Sequence, residues 1–140
     1  MFKHVATIII LAAILSCGQN EPLSNYEPKS PQEKALKNIL TDFQESTNTQ
    51  DSQKLESLIH EDAALMVGRE RKILSKVAYS KVLPKRLAEN PPVALGTPKM
   101  SVTGDEAEIR IYITRGEYND LIVFNMRMEN GKWYIKSWKY

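Results

Sequence analysis

The stretch "EAEIRIYIT", residues 106–114, alternates apolar and polar side chains without a break. Successive strand residues point to opposite faces, so Ala107, Ile109, Ile111 and Ile113 must share one side. That pattern demands a sheet with one dry face and one wet face, which is how antiparallel sheets pack. The segment "LIVFNMRM" (121–128) repeats it, with Ile122, Phe124, Met126 and Met128 on one side. Asn130-Gly131 is a strong hairpin signal, and "KWYIKSWKY" then reads as an aromatic-rich closing strand.

Helical signals precede these strands. Ser30 is placed as an N-cap, Pro31 at the first helical position and Glu33 as the closing member of a capping box. Ala35, Leu36, Ile39, Leu40 and Phe43 recur at helical spacing, which predicts an amphipathic helix to about Thr47. Asp51 is a candidate cap for a shorter helix burying Leu55, Leu58 and Ile59. Ala63 to Val67 reads as a short strand. A third helix is expected after Ser75, with Val77, Val82, Leu83 and Leu87 inward and a kink or break at Pro84. Two helices, a strand, a helix and an antiparallel meander make an α+β domain whose helices cover one sheet face.

The N-terminus carries a different message. A basic head is followed by an apolar run from Val5 to Leu15. Eleven helical residues cover only about 16 Å, too short to span a bilayer and suited to a signal peptide. The run ends Ile14-Leu15-Ser16-Cys17, and Cys17 is the only cysteine in the chain. This ending resembles the lipobox of bacterial lipoproteins. The resemblance implies cleavage before Cys17 and diacylglycerol modification of its thiol, hence anchoring to the cell-envelope membrane. Gly18 favours the outer membrane where the source has two. The expected division is a cleaved signal peptide over 1–16, the lipidated Cys17 with a flexible tether over 17–30, and one domain over 31–140. The polar, proline-containing tether would reach about 40 Å.

Composition excludes more than it suggests. The formal charge of the whole chain is +2, so no strong field points to nucleic acid. The basic clusters Arg69 to Lys72 and Lys81 to Arg86 read as solvated loops and helix faces. With Cys17 lipidated and only His60 left beyond the leader, no multi-histidine metal site is possible, and no calcium-loop motif occurs. No metal or cofactor is expected.

The two first helices, "DSQKLESLIHEDAALM", the third helix and the closing "NGKWYIKSW" resemble the NTF2-like (SnoaL-like) superfamily over roughly 32–140. The resemblance implies a strongly curved antiparallel sheet wrapped around helices as a cone, usually with a pocket inside. The superfamily contains isomerases, cyclases, dehydratases, binders and inert partner modules, so fold alone decides no function. In the ketosteroid-isomerase branch, anchoring on Asp62-Ala63 places the general base at Val67, the oxyanion-hole tyrosine at Phe43 and a further acid near Val123. None of these side chains moves a proton or donates to an oxyanion, so no catalytic residue is assigned. His60, beside Glu61 and Asp62, is expected to cap the second helix at its C-terminus.

The leading expectation is therefore a membrane-anchored, non-catalytic domain binding an apolar small molecule or lipid, with Phe43, Val67, Tyr79, Leu83, Phe124 and Trp138 around the pocket. One of Trp133 and Trp138 should close the core and the other line the mouth. The alternative is a filled cone that dimerises or docks through its outer sheet face, at Arg110, Tyr112 and Arg127. An enzyme using other residues, such as His60 or Tyr79, is the remaining reading. Cavity volume separates the first two, since a drug-sized site needs several hundred cubic ångströms.

Overall fold

A computed structural model describes residues 21–140. The expected signal peptide and Cys17 lie outside the described residues. Three helices, α1 (Pro31–Asn48), α2 (Ser52–Ser57) and α3 (Lys76–Glu89), pack on one face of a curved seven-stranded sheet. The strands are β1 (Ile59–Val67), β2 (Lys72–Ser75), β3 (Val93–Leu95), β4 (Lys99–Thr103), β5 (Glu106–Arg115), β6 (Tyr118–Glu129) and β7 (Lys132–Lys139). Their order is β2-β1-β7-β6-β5-β3, with β4 also on β5. The sheet is mixed rather than purely antiparallel, because β1 runs parallel to β7.

Local chemistry sets the helix starts. Ser30 Oγ accepts from the Glu33 amide, Asp51 Oδ1 from Lys54 and Ser75 Oγ from Ala78, each satisfying an amide of a first turn. In α1, Leu36, Leu40 and Phe43 face the core. In α3 the buried stripe is Tyr79, Leu83 and Leu87, one residue every fourth. Val77 and Val82, expected inside, lie off that stripe and are exposed. Pro84 sits inside α3 without interrupting it.

The sheet follows its alternation. Ala107, Ile109, Ile111 and Ile113 are all buried, as are Ile122, Phe124 and Met126 opposite them. Asn130 and Gly131 both take positive φ, the conformation a tight β6–β7 turn requires. Trp133 and Ile135 point inward, and by strict alternation Trp138 would point out. A bulge intervenes: Ile135 pairs with Met126 and Ser137 with Asn125, leaving Lys136 extra, so Trp138 turns back into the core. The outer edge of β3 is closed by α1, whose Asn48 and Gln44 side chains bond the Val93 and Leu95 backbone at 2.7–2.8 Å.

Two further expectations change. The second helix ends at Ser57, and Ile59 already belongs to β1, where it pairs with Ile135. The segment expected to be a flexible tether is packed on the domain from Glu21 onward. Leu23 is buried in the core, Pro22 bridges Gly96, and Lys37 Nζ donates to the carbonyls of Tyr26 (2.6 Å) and Ser24 (3.3 Å). The Tyr26 hydroxyl donates to Glu33, and burial together with that carboxylate pushes its pKa up to about 12. The cause is one apolar residue, Leu23, in a polar stretch. Leu23→Ala is expected to cost about 2 kcal/mol, near the low end for a buried leucine because a terminal strap opens locally. Urea unfolding reads the loss, and amide exchange should show deprotection confined to residues 22–26.

Candidate ligand cavity and its basic mouth

Strands β1, β5 and β7 run in one direction, since β1 is parallel to β7 and both β5 and β7 are antiparallel to β6. Their C-terminal ends therefore meet at one end of the sheet, where the last turns of α1 and α3 close over them. A cavity of about 80 Å³ lies there. Phe43 from α1, Val67 from β1, Tyr79 and Leu83 from α3, and Trp138 from β7 line it.

The aromatic rings meet edge to face: Phe43 and Trp138 at 5.6 Å between centroids, Tyr79 and Trp138 at 5.3 Å. Trp138 is fixed further by its indole N–H, which donates to the Met66 carbonyl at 2.8 Å. Phe124 is not part of the lining; it is fully buried and packs against Phe43 and Trp138. Both tryptophans are buried, with Trp138 on the cavity and Trp133 in the core.

The rim of the cavity opens into a wider groove of about 460 Å³. Four arginines line that groove: Arg69 and Arg71 from the β1–β2 turn, Arg86 from α3 and Arg115 from the end of β5. Arg86 and Arg115 line the cavity as well. Among the described residues, Asp120 is the sole carboxylate side chain of the groove lining. Among the described residues, none of the four arginines is within ion-pair distance of a carboxylate. Arg115 is held by Tyr140, donating to its hydroxyl at 2.7 Å and lying 5.5 Å over its ring, while its Nε is buried without a partner. Burial pushes the Tyr79 phenol above its ordinary range, and the charges of Arg86 and Arg115 pull it back in part.

Solved structures share this architecture. An NTF2-like protein from Cytophaga hutchinsonii superposes with a TM-score of 0.67 at 12% identity, over 78% of this chain and 96% of that one. A candidate calcium/calmodulin-dependent protein kinase II association domain from Xanthomonas campestris gives 0.70 at 12%, over 86% and 92%. A candidate ketosteroid isomerase from Shewanella frigidimarina gives 0.62 at 16%, over 75% and 94%. The chain has the NTF2-like fold. No protein-family model matches it, and no curated protein sequence does. Identities this low speak for the fold and for no activity.

Within this NTF2-like cone, the positions that the isomerase branch would use separate. Phe43 and Val67 both face the cavity. Val123 pairs with Arg110 on the opposite, outer face, because the inward residues of β6 are Ile122 and Phe124. Among the described residues, no aspartate, glutamate or histidine lines the cavity.

His60 is not a helix cap. It is buried on β1, with Nε2 hydrogen-bonded to Glu129 beside the β6–β7 turn and Nδ1 accepting from the Asp62 amide at 3.1 Å. That acceptor role fixes the proton on Nε2. Seven strand steps, about 23 Å, separate it from Val67 and the cavity. The outer-face residues Arg110 and Arg127 are exposed and Tyr112 is half-buried; Arg110 donates to Glu108 at 2.9 Å.

The hydrogen bond from His60, with Arg127 and Lys136 nearby, lowers the Glu129 pKa below its ordinary value of 4.5. A depressed carboxyl contributes stability that is complete above the unfolded value and lost as pH falls through the folded one. Stability should therefore decline as pH drops below about 4.5, and Glu129→Gln should flatten that decline, as read by urea midpoints across the acid range.

The arginines of the mouth are what sequence reasoning missed. Arg69, Arg71 and Arg86 belong to clusters that read as solvated surface. The sequence carries no sign that they meet Arg115, because the meeting depends on β1 pairing parallel to β7.

Proposed function

We propose that the chain is a membrane-anchored envelope lipoprotein, held through Cys17, whose NTF2-like domain binds a small molecule at the cone mouth without chemically transforming it. The observation that carries this reading is the aromatic cavity opening into a polar groove at the strand ends. Apolar walls with a few convergent polar groups are the usual make-up of a small-molecule site. That the described residues of the cavity lining include no aspartate, glutamate or histidine side chain favours binding over acid–base catalysis.

The volume limits the ligand. A dry cavity of about 150 Å³ admits benzene, so about 80 Å³ accepts a smaller apolar end. A whole lipid chain or drug-sized body does not fit inside. The remainder of the ligand would lie in the groove.

Packing of Glu21 to Tyr26 on the domain also shortens the expected tether. From Cys17 to Glu21 the chain reaches only about 14 Å, so the domain would sit close to the lipid surface. The second reading, a docking or dimerising module, draws support from the aromatic filling of most of the cone and from the charged outer face carrying Arg110, Tyr112 and Arg127. Native mass spectrometry of the full chain isolated from the cell envelope tests the choice. A discrete adduct supports the binder, and a bare dimer supports the module.

A further inference from the structure

Three polar side chains on the cavity rim carry donors without a protein partner among the described residues. The Tyr79 residue is only 7% exposed, and its hydroxyl has no protein hydrogen-bond partner among the described residues. Arg115 keeps a buried Nε–H with no acceptor. The Arg86 side chain is half-buried and has neither an ion pair nor a hydrogen bond among the described residues, although its neighbour Lys85 is 3.9 Å from Glu89. Of the three, only Arg115 Nε is both fully buried and unpaired, a costly state for a charged donor. All three groups border one cavity. They are three donors, two of them cationic, and the one acceptor among them is the Tyr79 hydroxyl oxygen.

We propose that the ligand of the cone is a small organic anion, a carboxylate or phosphate ester with a short alkyl end. Arg86, Arg115 and the Tyr79 hydroxyl hold its charged group at the rim. This rests on the reading of the cavity as a ligand site and adds the ligand's charge. The alkyl end occupies the space between Phe43, Val67 and Trp138. An anion at the rim relieves repulsion between two guanidinium groups that share a partly desolvated wall. Hydrogen bonds from arginine to an anion are charge-assisted and stronger than neutral ones. Arg69 and Arg71 at the outer groove add attraction for an incoming anion and leave a neutral ligand unaffected.

The test uses the full chain in a non-ionic detergent, titrated with isovalerate and separately with its neutral counterpart, 3-methylbutanamide. Heteronuclear NMR follows the Arg115 Nε–H and Trp138 indole signals. Isovalerate is expected to shift both signals and to bind at least tenfold more tightly than the amide. Arg86→Gln and Tyr79→Phe should each weaken isovalerate about tenfold. Neither should lower the melting temperature, since neither removes a protein partner. Equal affinities for acid and amide, or unchanged affinity in both variants, would overturn the anion assignment and leave the cavity reading standing. If neither compound moves the Trp138 signal, both readings fail together.

Discussion

Trp138→Ala lowers the unfolding free energy by about 3–5 kcal/mol, the range for removing a large buried aromatic. The indole is 4% exposed and touches Phe43, Tyr79 and Phe124 edge to face. It joins β7 to α1 and α3, and through the Met66 carbonyl to β1. Its removal leaves three rings facing a void and the Met66 carbonyl without its indole donor. Trp138→Phe should cost clearly less, because most of the ring contact survives and only the hydrogen bond and part of the volume go. Urea unfolding followed by far-ultraviolet circular dichroism measures both. A loss under 1 kcal/mol for the alanine variant would mean that the aromatic cluster is not the pillar of this end of the cone.

Cys17→Ala should abolish incorporation of labelled palmitate and leave the leader uncut. The expectation rests on the order of basic head, apolar run, Ser16 and Cys17. Among the described residues no helix is long and apolar enough to cross a membrane. The apolar run before Cys17 is itself too short to span one. Under the proposed anchor, attachment would rest on acyl chains, and two or more hold a protein where one gives only marginal binding. Gel autoradiography and the mass of the N-terminal peptide provide the readout. A labelled alanine variant would refute the lipobox reading.

Residues whose environment is decided locally were legible in the sequence. The alternation of β5 named its own buried face, and Ser30, Asp51 and Ser75 marked the starts of their helices. Errors arose where distant pairing overrode local pattern. Ile59 fits a helical face, but β7 recruits it into a strand. Val77 and Val82 have core-like side chains, but Tyr79, Leu83 and Leu87 fix the phase of α3. Trp138 reaches the cavity only through a bulge at Lys136, a one-residue shift that strict periodicity excludes. The apolar cavity wall could be proposed from family resemblance through Phe43 and Val67. Its basic rim could not, because Arg71, Arg86 and Arg115 are contributed by a turn, a helix and a strand brought together only by the fold.

The most direct test of the cone as a binding site is native mass spectrometry of the full chain purified gently from its own cell envelope, beside a Val67→Phe variant. Phenylalanine at that position fills the cavity from the end of β1, and overpacking of this kind costs about 1–3 kcal/mol, which a well-packed domain tolerates. A discrete small-molecule adduct on the natural chain, absent from a folded Val67→Phe variant, is the predicted result. A natural chain that carries no adduct, or an adduct that persists unchanged in the filled variant, would contradict a ligand site in the cone.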